Sequence, residues 1–290
     1  MMTRIFYLGV GTQKAATTWC YNLLINNKIN FGRGVAKEMQ VFNIAFSDKF
    51  GPMHRNILAR QNNFKFHSIA QFINNLDSYF EYFDKDVMRD GITSSADFTN
   101  EYNTLTVENF KYIKEEFLKR GIVVKVIFLM REPVSRLISM MSMRHKTANV
   151  NFDPGGTTDF EIALHNLKNP HADVLYSNYE HTVLALQEAF IKEDVFFGFY
   201  ETLFSTQLVE LSNFLDIPIN LLRSEALVYQ NKSDNNLFKY TKEELVMLKN
   251  HYRSVYAFVE DKFNFNTRKY WTPESKKEYN QNVTHIVTQC

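Results

Sequence analysis

Cysteine is nearly absent from this chain: Cys20 and Cys290 are the only two among 290 residues. Two such distant thiols build neither a disulfide framework nor a zinc site alone, and a reducing cytoplasm is the expected compartment. An excess of one charge is also lacking. Lys and Arg number 33 against 32 Asp and Glu, a net +1, which argues against a nucleic-acid or membrane-surface partner. No apolar run reaches the roughly 18 residues of a membrane span. The first such run, from Ile5, is interrupted by Gly11, Thr12, Gln13 and Lys14, so it reads as neither a span nor a signal peptide. No internal repeat breaks the chain into units.

What is present is an ordinary globular balance, 45% hydrophobic and 22% charged. The 26 phenylalanines predict an aromatic core. Ile5–Val10 reads as a short buried strand, followed by a glycine-punctuated loop and a helix over Thr17–Asn27. Val87–Thr93 reads as a second strand. Phe110, Ile113 and Phe117 recur at helical spacing over Thr106–Arg120, and Gly121 stops that helix. Ile122–Met130 is the strongest strand, β-branched and continuous, as expected of one covered on both faces. Pro133 fits the first turn of the next helix. A strand over Asp194–Tyr200, a helix through Leu208, Leu211 and Leu215, and a long helix from Thr241 to about Phe263 complete the pattern. The alternation predicts an α/β fold with a mostly parallel central sheet flanked by helices. One domain is expected over residues 1–271, with a polar tail at 272–290.

Residues 9–18 read Gly-Val-Gly-Thr-Gln-Lys-Ala-Ala-Thr-Thr. Small residues let backbone N–H groups converge on an anion, and the helix that follows adds its positive end. Lys14 supplies a cation, Thr17 and Thr18 hydroxyls. The bland alternative is a strand-to-helix turn with a solvated lysine. A Walker A loop ends in Gly-Lys-Ser/Thr, whereas Ala15 and Ala16 follow Lys14 here. That departure weakens a nucleotide kinase or NTPase reading.

The stretch Gln13-Lys14-Ala15-Ala16-Thr17-Thr18-Trp19 instead resembles the 5′-phosphosulfate loop of the PAPS-dependent sulfotransferases (PAPS, 3′-phosphoadenosine-5′-phosphosulfate), with Ala16 where glycine is usual. Residues 126–140, Val-Ile-Phe-Leu-Met-Arg-Glu-Pro-Val-Ser-Arg-Leu-Ile-Ser-Met, resemble that family's 3′-phosphate site. The resemblance implies a P-loop-like sulfotransferase fold. It makes Gln13, Lys14, Ala15, Ala16, Thr17, Thr18, Trp19, Arg131 and Ser139 donor-binding residues, with Lys14 also catalytic. Tyr200-Glu201, Phe160-Glu161 and Trp271 are softer matches, and Lys232, in the polar stretch Tyr229-Gln230-Asn231-Lys232, is the adenosine-loop candidate.

Ala36-Lys37-Glu38-Met39-Gln40-Val41-Phe42-Asn43 resembles the Lys-Glu-x-x-x-Phe segment of the glycan, heparan-type branch. The resemblance implies Glu38 as general base and Lys37 as a positioning cation. Gly91–Phe98 resembles that branch's acceptor-side strand end, which puts Asp97 beside the acceptor as a second possible acid or base. His54, His67 and His145 are the alternatives, since small-molecule sulfotransferases use a histidine. The implied reaction moves a sulfuryl group from PAPS, without a metal, to a carbohydrate or small-molecule acceptor. A non-catalytic descendant that binds nucleotide or glycan is the other reading.

Overall fold

The computed structural model describes residues 3–147, 159–168, 176–222 and 240–271. Four strands form one sheet: β1 (Arg4–Gly9), β2 (Ser94–Phe98), β3 (Ile122–Met130) and β4 (Val195–Phe199). Their order is β2-β1-β3-β4, and every neighbouring pair is parallel. Leu8 therefore sits between Asp97 of β2 and Val126 of β3. Helices α1 (Thr17–Asn27), α2 (Val41–Ala45), α3 (Gly51–Ala59), α4 (Phe64–Asn74) and α5 (Leu76–Glu81) separate β1 from β2. Helix α6 (Val107–Lys119) precedes β3, and α7 (Pro133–Thr147) follows it.

Both faces of the sheet are covered, which is why β1 and β3 are apolar at successive positions. Phe6, Leu8, Val124, Val126 and Phe128 enter the larger cluster, with α2, α4, α5 and α6. Tyr7, Ile127 and Leu129 enter the other, with α1 and the helix Leu208–Leu215. The phenylalanines concentrate in the larger cluster. Phe6 stacks on Phe117 at 4.2 Å and meets Phe83 edge-on at 4.6 Å, contacts worth about 0.5–1.5 kcal/mol each beyond burial. Among the described residues, no helix is long and apolar enough to cross a membrane.

Two expected elements differ. The strand expected over Val87–Thr93 is instead the end of a π-helix, Tyr82–Val87, and a turn in which Asp90 and Gly91 have φ of 51° and 89°. Phe83, Val87 and Met88 point their apolar side chains into the larger core from that helical turn. The second strand begins later, at Ser94, and all five of its residues are buried. Its serines are satisfied internally: Ser95 Oγ donates to the Gly32 carbonyl at 2.7 Å and Ser94 Oγ to that of Asn30 at 3.2 Å. The long helix expected from Thr241 is two, Lys242–His251 and Arg253–Phe263. The break at Tyr252 lets Leu248 and Tyr252 pack beside α7 while Val259 turns into the main core.

Candidate active site

All four strands point their carboxyl ends the same way, and the residues that follow them converge. The sheet order reverses between β1 and β3, the crevice where ligands collect in open parallel sheets. The loop after β1 continues along β3: Thr12 N donates to the Leu129 carbonyl at 2.8 Å, and Leu129 N to that of Gly11 at 2.8 Å. Gly11 has φ of +104°, and a Cβ there would lie 2.7 Å from the Asn100 carbonyl oxygen, so only glycine fits. Thr12 Oγ1 donates to the Tyr176 carbonyl at 2.5 Å.

Ala16 adopts the left-handed conformation, φ 71°, that glycine takes without strain. The loop thus keeps a glycine-like bend with an alanine in it. Ala16 caps α1 without a side-chain hydrogen bond, and the first turn carries no acidic residue. The open N–H groups and dipole of α1 face an anion favourably. Lys14 is half-buried, Thr17 buried and Thr18 exposed. Trp19 is buried edge-on against Phe204 at 4.8 Å. Its indole N–H, like Gln13 Oε1, is buried with no partner among the described residues.

Arg131 follows β3 directly and is 6% exposed. Its guanidinium donates to the Lys14 carbonyl at 2.8 Å and lies over the Tyr200 ring at 4.3 Å. Its Nε is buried and unpartnered among the described residues, an orphaned donor of the kind a bound anion satisfies. Glu132 then caps α7, accepting from Val134 N at 3.1 Å and Ser135 N at 2.6 Å. Glu201, after β4, accepts from Glu132 N at 3.0 Å and from the Trp271 indole at 2.9 Å. Burial pushes its pKa up to about 7. Ser139 lies half-buried on α7. Lys232 falls outside the described residues.

Residues 37–41 lie against the end of β2. Phe98 N donates to the Lys37 carbonyl at 2.7 Å, Met39 N to Asp97 Oδ1 at 3.2 Å, and Val41 N to Tyr102 OH at 3.2 Å. Thr99 Oγ1 accepts from both Met39 N and Gln40 N, at 3.0 and 3.1 Å. This clamp brings Lys37 and Glu38 to the start of α1. Lys37 Nζ reaches Thr18 Oγ1 at 3.0 Å and Glu38 Oε1 at 2.7 Å. Asn100 Nδ2 donates to the same Glu38 oxygen at 3.1 Å, and Thr17 Oγ1 donates to Asn100 Oδ1 at 3.2 Å. Glu38 also lines a cavity of about 240 Å³ formed with α3 and α4.

Asp97, expected beside the acceptor, is instead sealed beneath this clamp at 0% exposure. Its carboxylate accepts from Met39 N, from Thr99 Oγ1 at 2.7 Å, and from the hydroxyls of Tyr79 and Tyr102 at 3.0 and 2.7 Å. Burial pushes its pKa up to about 6, against the opposing pull of those donors. With every partner a protein group, Asp97 positions the segment that carries Glu38. His54 is half-buried on α3 and His67 exposed on α4, while the side chain of His145 is outside the description.

Sequence reasoning missed Asn100, Glu101 and Tyr176. Glu101 is buried, accepting from Gln40 Nε2 at 2.6 Å and Tyr176 OH at 2.5 Å, and its pKa is raised by burial. Tyr176 thereby connects the loop after β1 to Gln40. The one local signal was the polar run Thr99-Asn100-Glu101 after a strand end.

A sulfotransferase-domain family model matches residues 8–284, nearly the whole chain, and the chain belongs to that family. Sulfuryl transfer is its general activity. Among solved structures, a sulfotransferase from Alicyclobacillus acidocaldarius is similar with a TM-score of 0.55 at 15% identity, covering 91% of this chain and 98% of that one. Mouse sulfotransferase SULT7A1 complexed with PAP has a TM-score of 0.47 at 14% identity, covering 88% and 85%. At 15% identity the Alicyclobacillus structure shows the fold alone. No curated protein matches the chain in sequence.

Proposed function

We propose that this chain transfers a sulfuryl group from PAPS to a hydroxyl or amine of a carbohydrate or small-molecule acceptor, with Glu38 as the general base. The observation that carries the reading is the bridge of Lys37 Nζ between Thr18 Oγ1 and Glu38 Oε1, at 3.0 and 2.7 Å. It joins a carboxylate to the anion-binding start of α1.

In this reading Lys14, Thr17, Thr18 and the first amides of α1 hold the 5′-phosphosulfate, on the loop shaped by Gln13, Ala15 and Ala16. Arg131 and Ser139 take the 3′-phosphate, Trp19 packs beneath the phosphosulfate loop, and Lys232 belongs to the adenosine side. PAPS supplies an already activated sulfuryl group. The acceptor oxygen or nitrogen forms a bond to sulfur as the sulfur–oxygen bond to the 5′-phosphate breaks. The leaving phosphate keeps that electron pair, and the acceptor proton passes to Glu38. Lys14 and the amides stabilise the charge gathering on the leaving phosphate, so catalysis rests on positioning and preorganised charge. Lys37 and Asn100 both hold Glu38 Oε1, which fixes the carboxylate against the loop.

The test is transfer of labelled sulfate from PAPS to a panel of sugars and phenols, read with release of 3′,5′-bisphosphoadenosine. Transfer that disappears in Glu38→Gln supports the assignment. Undiminished transfer in that variant removes Glu38 from it, and magnesium-dependent ATP turnover in place of sulfate transfer overturns the whole reading.

A further inference from the structure

The cavity beside Glu38 carries a positive rim that the fold does not require. Met53, Ile57 and Ile69 give it an apolar lining, and Arg60 and Lys65 add two cations. Both cations are exposed and, among the described residues, neither has an ion-pair partner. Each lies over the ring of Phe66, Arg60 at 5.2 Å and Lys65 at 5.5 Å. That ring gathers the two heads at one place on the cavity.

Arg60 closes the carboxyl end of α3, where a cation suits the helix dipole. Lys65 is different. It occupies the first turn of α4, whose N-cap is Asn63 and whose first turn has no acidic residue. A cation there works against the helix dipole. The positive end of α4 and two unpaired cations therefore add together on one wall. A volume of about 240 Å³ lies below the range usual for a drug-sized ligand and suits a single ring.

We propose that this cavity is the acceptor subsite and that it selects a ring bearing a carboxylate or similar anion, whether an acidic sugar or a phenolic acid, with Arg60 and Lys65 reading the charge. The inference rests on the sulfuryl-transfer reading above, since Glu38 is what joins the cavity to the reaction. Apolar walls take the ring, the rim takes the anion, and the reacting hydroxyl turns to Glu38. Because the rim is exposed, the preference weakens as salt rises.

The experiment uses the full chain with PAPS and two matched acceptor pairs. One is 4-nitrophenyl β-D-glucuronide against 4-nitrophenyl β-D-glucoside, and the other is 4-hydroxyphenylacetate against 4-methylphenol. The expected result is a roughly tenfold higher kcat/KM for the charged member of whichever pair reacts, the scale of two exposed ion pairs. That ratio falls to about one or below in Arg60→Glu/Lys65→Glu, with bisphosphoadenosine affinity retained. Both sites are exposed, so folding tolerates the change, and bisphosphoadenosine binding reports it directly. A ratio that favours the neutral members, a ratio unchanged in the double variant, or transfer to no member of either pair overturns the proposal. Loss of bisphosphoadenosine affinity in the double variant also overturns it, by moving the two cations to the donor. Failure of the parent chain to bind bisphosphoadenosine at all is the separate outcome that removes the sulfuryl-transfer reading.

Discussion

The Arg131 guanidinium donates to the Lys14 carbonyl at 2.8 Å. The loop after β1 and the end of β3, the two stretches expected to hold the two phosphates, are thereby joined by a side-chain bond in addition to their backbone ladder. Arg131→Lys keeps a charge but loses the planar fork that can serve Lys14 and an anion together. The expected loss of bisphosphoadenosine affinity is about tenfold to a hundredfold, the scale of one charged hydrogen bond. Calorimetry checks it, and affinity within twofold of the parent would separate Arg131 from the nucleotide.

Glu38→Gln preserves the shape of the acid and its acceptor oxygen toward Lys37 and Asn100. Turnover is expected to fall about 10²–10⁴-fold, as for loss of a general base, with bisphosphoadenosine affinity unchanged. Lys14→Ala is expected to lower turnover by roughly a hundredfold or more through loss of charge stabilisation. Single-turnover measurement on any acceptor that reacts distinguishes these losses from weaker binding. Intact chemistry in Glu38→Gln would return the base to the histidines.

Asp97 gives a pH test with a defined sign. Burial raises its pKa from the ordinary 3.8 to about 6 in the folded chain. Between those values the folded state holds a proton that the unfolded state has released. The stability this group contributes is therefore complete below about pH 4 and is lost as pH rises through about 6. Asp97→Asn removes that dependence. Variant-minus-parent stability from urea melts should rise by roughly 3 kcal/mol from below pH 4 to above pH 6. A difference flat across that window would contradict the burial of an ionisable Asp97.

Gly11→Ala meets two obstacles, a left-handed φ and the Asn100 carbonyl. A cost of about 2–4 kcal/mol is expected. Because Asn100 also holds Glu38, turnover should drop further than the melting temperature alone implies at a temperature where the variant is folded. Equal stability and equal turnover would contradict the contact.

The sheet was legible where burial on both faces left a continuous apolar signal. β3 matches its expected bounds, and β1 and β4 differ by a residue at their ends. β2 was hidden because Ser94, Ser95 and Asp97 are polar yet buried, with Asn30, Gly32 and Met39, all far away in sequence, among their hydrogen-bond partners. Nothing local distinguishes such a strand from a surface loop, whereas the apolar Val87 beside it looked like a strand and is helical. The loop of residues 9–18 was readable because its small residues and Lys14 are contiguous. Lys37 and Glu38 were singled out only through resemblance, since what brings them to Thr18 is the clamp built by Asp97, Thr99 and Tyr102. Asn100 and Tyr176 join the site only after the chain closes.

The most direct measurement is a calorimetric titration of the whole chain with 3′,5′-bisphosphoadenosine, with 5′-AMP, and with ATP plus magnesium. The proposed pair of phosphate sites, at Lys14 with the start of α1 and at Arg131 with Ser139, requires the bisphosphate to bind at least about tenfold more tightly than 5′-AMP, the worth of one charged hydrogen bond. Uptake of ATP with magnesium and indifference to the 3′-phosphate would contradict it.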